Sequence, residues 1–209
     1  ILCLKKKTQI IFMTAGGQLL EISKNNNMDY ILLPKGFQPR AAIGYGISLL
    51  LLFLNKIGIV NDRLIDDLKS SIAILIEDTK NYSLLDKENN ISIKIASNIH
   101  DKFPIIYAQD GFYHQIAYRF RCQLAENAKI LSLHHSIPEM NHNEIEGFTQ
   151  NSIRIKDCVI LWIYNEKIHT KNLKRIEITS EIVSNIVQQQ IKINFINERT
   201  NIGLVLRNI

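Results

Sequence analysis

The stretch QIIFMTAGGQLLEISKNNNMDYILL, residues 9–33, decides the fold. It opens on a short apolar run, QIIFMT, which stops at Ala15-Gly16-Gly17. Residues 19–24 then carry apolar side chains at helical spacing, and a second apolar run, residues 28–33, is closed by Pro34-Lys35-Gly36. Strand, helix and strand in so few residues make a βαβ unit, and a crossover of that kind implies parallel strands.

The same alternation continues outward. Pro39 suits the first turn of a helix predicted over residues 40–56 and stopped at Gly58. That helix is apolar nearly all round, so burial is expected. Asn61 is placed to cap the next helix, with Leu64, Ile65, Leu68, Ile72 and Leu75 at spacings of one, three and four. Residues 81–90 are polar and read as a linker, and ISIKIASN, residues 91–98, fits helix or strand. FPIIYA (103–108) reads as a strand, residues 112–129 as a helix entered through Gly111, and residues 130–134 as a strand. Residues 136–147 form a Pro- and Asn-rich loop. VILWIY (159–164) reads as a buried strand, 171–186 as helix, 191–196 as strand, and residue 201 as a helix start. We therefore expect an α/β fold, a three-layer α-β-α sandwich with a mostly parallel sheet. Such sheets take their ligands at the carboxyl ends of the strands.

Composition narrows the function classes. The 209 residues are 46% hydrophobic and 22% charged, with 9 Gly and 4 Pro, which excludes wholesale disorder and low-complexity chains. The net charge of +5 is spread along the chain, and Lys5-Lys6-Lys7 is too short for a nucleic-acid footprint. Cys3, Cys122 and Cys158 lie far apart, which fits a reducing, cytoplasmic setting better than a disulfide framework or a zinc ribbon. The best candidate for a membrane segment, residues 47–54, falls well short of the ~20 residues a span needs.

Several residues carry candidate chemistry, each with an ordinary reading beside it. Glu126 ends its predicted helix as a carboxylate base at the rim of the sheet, or as a surface glutamate paired with Lys129. His142, between two asparagines, is an acid/base group, a metal ligand or an exposed loop histidine. His134, His135, Glu139, His142 and Glu144 match no zinc spacing, and His134 and His135, adjacent in a strand, point to opposite faces. Arg40, after Gln38 and Pro39, faces an anion at a helix start or simply lies on the surface. Thr14, Gly16 and Gly17 follow a strand and open a helix, where backbone amides can meet a phosphate or sugar oxygen. The ordinary reading, a plain strand-to-helix turn, is the stronger of the two.

Taken in order, four segments resemble the bifunctional phosphoglucose/phosphomannose isomerases of the sugar isomerase (SIS) domain superfamily. They are GFQPRAAIGY from Gly36, FPIIY from Phe103, ENAK from Glu126 and PEMNHNE from Pro138, with TAGG at Thr14 beside them. The resemblance covers most of residues 9 to 200. It implies two SIS subdomains and a homodimer whose active site lies between subunits, with a sugar phosphate as substrate and neither metal nor organic cofactor. It implies aldose–ketose isomerisation of glucose 6-phosphate or mannose 6-phosphate to fructose 6-phosphate through an enediol. Glu126 matches the base, His142 the ring-opening histidine serving the neighbouring subunit's site, and Arg40 the guanidinium that stabilises the enediolate. Thr14, Gly16, Gly17 and Gln38 would line the substrate pocket.

The same resemblance sets expectations for organisation. Residues 1–36 correspond to the remainder of a first SIS subdomain, 37–90 to connecting helices, and 91–209 to the second subdomain. Ala15 stands where the family commonly has Ser, and Ala125 where it commonly has Asn. The family's Ser- and Thr-rich phosphate loop and its C-terminal lysine-bearing helices fall outside this sequence, and both ends read as interior positions of a longer protein. We accordingly expect weak substrate binding by these 209 residues alone. The rival readings are a non-catalytic sugar-phosphate-binding SIS module and an inactive piece of a split isomerase.

Overall fold

The computed structural model describes residues 8–86, 89–148, 153–187, 189–194 and 200–207. The chain divides into two units, Ile1–Lys69 and Ser70–Ile209. The first unit holds the deciding stretch as expected: β1 (Ile11–Thr14), α1 (Gly17–Asn25) and β2 (Asp29–Leu32) form a βαβ element with β1 parallel to β2. The turn between β1 and α1 depends on glycine. Gly16 and Gly17 have φ of 142° and 65°, outside the range a side chain readily accepts.

The segment from Pro39 departs from expectation twice. Pro39–Ala41 is a 3₁₀ turn, so Arg40 precedes the α-helix α2, which runs Ile43–Lys56. None of the residues of α2 is buried, and Tyr45, Leu50 and Leu52 are each more than 40% exposed. An all-round apolar helix needs cover on every side, and the two short strands and one helix that precede it are too small to wrap it. Asn61 does cap α3 (Asp62–Ser83), its Oδ1 accepting from the Leu64 amide at 3.3 Å.

The second unit is the three-layer sandwich. Four parallel strands lie in the order β4-β3-β5-β6: β3 (Phe103–Gln109), β4 (Leu133–Ile137), β5 (Cys158–Tyr164) and β6 (Gln189–Asn194). Alternate residues of β5 feed two separate cores. Val159, Leu161 and Ile163 pack with Ile116 and Ala117 of α5 (Phe112–Gln123), with Ile99 of α4 (Ile91–Ile99) and with Leu204 of α8 (Asn201–Arg207). Ile160 and Trp162 pack on the other face with Ile176 and Val183 of α7 (Thr170–Ser184). With helices on both faces, β5 is closed to water along most of its length, which is why it reads as an unbroken apolar run.

Three local readings are corrected. Residues 81–90 are not a plain linker: α3 runs to Ser83, and Asn90 is buried at 1% exposure. Its side chain accepts from the Ser92 and Ile93 amides and donates to the Tyr82 and Leu84 carbonyls. That N-cap also settles the ambiguous segment at residue 91 as helix. The strand read at 130–134 begins three residues later, because Leu131 is 78% exposed and turns away from the sheet. The expected loop at 136–147 gives Ser136 and Ile137 to β4 and contains a 3₁₀ turn, Glu139–Asn141, and a short helix α6, Glu144–Gly147.

Candidate active site

Glu126 owes its position to the way α5 ends. After Gln123 the chain widens into a π-helical turn, Leu124–Ala128. Such turns throw one side chain out of helical register and occur frequently at functional positions. Lys129 closes the turn in the left-handed conformation, and its ammonium donates to the backbone carbonyl of Glu126 at 2.7 Å. The sequence allows an ordinary Glu126–Lys129 ion pair; the structure instead spends the lysine on the carbonyl. Among the described residues the Glu126 carboxylate has no salt-bridge partner.

Glu126 lines an open cavity of about 270 Å³ together with Arg121, Cys122, Ala125, Leu131 and Ser132. The buried hydroxyl of Ser132 has no hydrogen-bond partner among the described residues. A carboxylate, a guanidinium and a spare hydroxyl around one hollow suit a ligand rich in hydroxyl groups. This cavity sits beside Leu131 and Ser132, just before β4. Glu126 therefore lies at the amino end of β4 rather than at the carboxyl ends of the strands, where such sheets take their ligands.

His142 lies beyond the other end. It follows the 3₁₀ turn Glu139–Asn141 that leaves β4 at Ile137 and Pro138. Its backbone amide donates to Glu139 at 2.9 Å, and its ring is exposed. The loop that carries it is fixed from beneath. Met140 is fully buried in the core on the α7 side, and the Asn141 amide donates to Thr179 of α7 at 2.7 Å. Five residues of β4, roughly 15 Å of strand, thus separate the surroundings of Glu126 from those of His142. One copy of this unit does not bring the two together.

His134 and His135 point to opposite faces of β4, as expected. The His134 ring stacks on His114 of α5 with centroids 4.9 Å apart, while His135 Nδ1 lies 2.8 Å from Glu144 Oε1. Burial, then His114, Arg121 and His135, push the His134 pKa down. Among the described residues no three His, Cys, Asp or Glu side chains gather to hold a metal ion. No helix of the described residues is long and apolar enough to cross a membrane.

The remaining candidates belong to the first unit. Thr14 is buried at the end of β1, and its hydroxyl is occupied by the turn, donating to the Gly16 carbonyl at 2.8 Å and accepting from the Gly16 amide at 3.2 Å. Gly17 is exposed, and Gly16 packs under Lys35, whose Cε would lie 3.7 Å from a Cβ added there. Gln38 is exposed and Arg40 half-buried in the segment that follows β2. The turn at Thr14, Gly16 and Gly17 follows the carboxyl end of β1, and the segment with Gln38 and Arg40 follows that of β2. Sequence reasoning missed Arg121, Ser132, Lys35 and Tyr107. The first three carry no local pattern that separates them from surface residues, and Tyr107 reads only as part of an apolar strand.

Residues 88–200 match the family described as the bacterial phospho-glucose isomerase C-terminal SIS domain. The chain is 30% identical over 183 residues to a bifunctional phosphoglucose/phosphomannose isomerase of Caldicellulosiruptor bescii, covering 87% of this chain and 54% of that protein. It is 36% identical over 141 residues to a D-glucosamine-6-phosphate 4-epimerase of Sulfolobus acidocaldarius, covering 68% of this chain and 42% of that one. The chain thus spans about half the length of the curated relatives it matches. A solved glucose-6-phosphate isomerase like protein from Thermus thermophilus shares the fold, with a TM-score of 0.57 at 14% identity over 95% of this chain and 66% of that one.

Proposed function

The chain belongs to the family of the bacterial phospho-glucose isomerase C-terminal SIS domain, and from that premise we propose that it supplies the proton-transfer machinery of a sugar-phosphate isomerase. The reaction interconverts glucose 6-phosphate or mannose 6-phosphate with fructose 6-phosphate. The observation that carries the proposal is Glu126: a carboxylate on a π-helical turn, with no salt-bridge partner among the described residues, on the wall of an open cavity.

The residues fit the steps. His142 assists opening of the sugar ring, moving a proton between the ring oxygen and the anomeric hydroxyl. The Glu126 carboxylate takes the hydrogen from C2 and leaves an enediolate; the proton returns to C1 while another moves from O2 to O1. Arg40 supplies a fixed positive charge for the enediolate oxygens, which need it more in the transition state than in the ground state. Thr14, Gly16, Gly17 and Gln38 line the sugar's surroundings. Within one copy, β4 stands between Glu126 and His142, so the proposed active unit is a homodimer in which His142 of one copy serves Glu126 of the other. Residues 91–209 are the second SIS subdomain, 1–36 belong to the first, and 37–90 connect them. The active site sits in the cytoplasm, with no metal or organic cofactor.

The relative named as a 4-epimerase supports the same ligand class, a hexose carrying a 6-phosphate, with chemistry at a different carbon. Product analysis by NMR separates the two reactions. The proton-transfer test is solvent deuterium exchange into fructose 6-phosphate. Wild type is expected to incorporate deuterium at C1, and Glu126→Gln to lower the rate about 10²- to 10⁴-fold. Exchange at the wild-type rate in Glu126→Gln removes Glu126 as the base.

A further inference from the structure

His142 is exposed, yet its loop is tied down, and the last tie is Glu144, two residues on. Tyr107 is 1% exposed in the centre of the sheet, and its hydroxyl donates to Glu144 Oε2 at 2.8 Å. His135 Nδ1 approaches the other carboxylate oxygen at 2.8 Å, off the line of a ring N–H, so this is a close polar contact rather than a directed hydrogen bond. The Glu144 amide is capped by Asn143 Oδ1 at 2.6 Å, and Asn143 Nδ2 reaches back to Glu139 at 3.1 Å. Both oxygens of Glu144 are therefore engaged by β3 and β4, on either side of the loop's own hydrogen bonds. Burial and the Glu144 charge hold the Tyr107 phenol far above its ordinary pKa, so it stays a donor.

We propose that Glu144 is a positioning residue for ring opening: it clamps the His142 loop to β3 and β4 through Tyr107 and His135. This rests on the isomerase reading. The carboxylate does not touch the sugar; it fixes where the His142 ring stands when it meets the other copy's site. Met140 and Asn141 hold the loop before His142, and Glu144 is the anchor after it. Removing that anchor lets the ring wander by an ångström or so, enough to cost about 100-fold in a positioned proton transfer.

The test compares two ketose phosphates. Fructose 6-phosphate must open its ring before isomerisation; 5-deoxyfructose 6-phosphate has no O5 with which to close one. Glu144→Ala is expected to lower kcat on fructose 6-phosphate about 10- to 100-fold with KM little changed, and to leave turnover of the 5-deoxy compound near wild type. Glu144→Gln keeps an oxygen that accepts from Tyr107 and should recover most of the loss. Tyr107→Phe should reproduce part of it, giving a second variant should Glu144→Ala fold poorly. Equal losses on both compounds would make Glu144 a purely structural residue and overturn the proposal, as would unchanged turnover of fructose 6-phosphate. Wild type inactive on both compounds, even at substrate concentrations raised to offset the weak binding expected of these 209 residues, would instead remove the isomerase reading, and this role with it.

Discussion

His134 sets its ring between His114, 4.9 Å away, and Tyr118, 5.3 Å away, on the face of the edge strand that α5 covers. Its pKa is lowered first by burial and then by His114, Arg121 and His135. The folded state therefore favours the neutral ring, and unfolding releases it to take up a proton near its ordinary value of about 6.5. The stability this contributes is full above that value and is lost as the pH falls below it. His134→Phe keeps an aromatic ring in the stack and cannot titrate. The drop in Tm between pH 7.5 and pH 5.5 should be smaller in the variant than in wild type; parallel curves would show that His134 titrates alike folded and unfolded. Residues at this scale were legible to unequal degrees. Glu126 and His142 stand in segments whose order along the chain resembles a family, whereas the Tyr107–Glu144 contact joins positions 37 apart. No local spacing announces a hydrogen bond that only the pairing of β3 and β4 creates.

At the scale of elements, the most informative contact is Asn90. One buried amide side chain closes the end of α3 and begins α4, serving two carbonyls and two amides. Asn90→Ala removes the cap and strands those groups away from water, a cost of about 2–4 kcal/mol. Asn90→Asp keeps the two acceptor contacts and loses the two donor contacts, so its urea midpoint should fall between alanine and wild type. An alanine variant with an unchanged midpoint would mean that water replaces all four bonds. The elements themselves were largely written in the sequence. VILWIY is apolar on both faces because helices cover both faces, and the βαβ unit follows from Gly16 and Gly17 breaking one strand into one helix. Where the reading failed, packing overrode pattern. The apolar helix α2 is not enclosed, and Ile130 is apolar because it packs under the first core, not because it is in β4.

At the scale of the whole molecule, β4 decides how a site can be assembled. It carries Glu126's surroundings at its amino end and His142's at its carboxyl end, and a rigid sheet does not fold back on itself to join them. Two copies can join them if each lends its exposed histidine to the other. A two-fold dimer then has two equivalent sites, each built from one copy's Glu126 and the other's His142. Glu126→Gln and His142→Asn, prepared separately, should each be nearly inactive. Mixed and allowed to exchange subunits, they form mixed dimers in which one site carries both substitutions and the other carries neither. With random exchange half the dimers are mixed, so activity should return to about a quarter of wild type. A site built within one copy predicts the opposite: every site in the mixture keeps one defect, and no activity returns however long the copies exchange. The mixing experiment thus separates a shared site from a self-contained one without knowing which hexose phosphate the protein prefers.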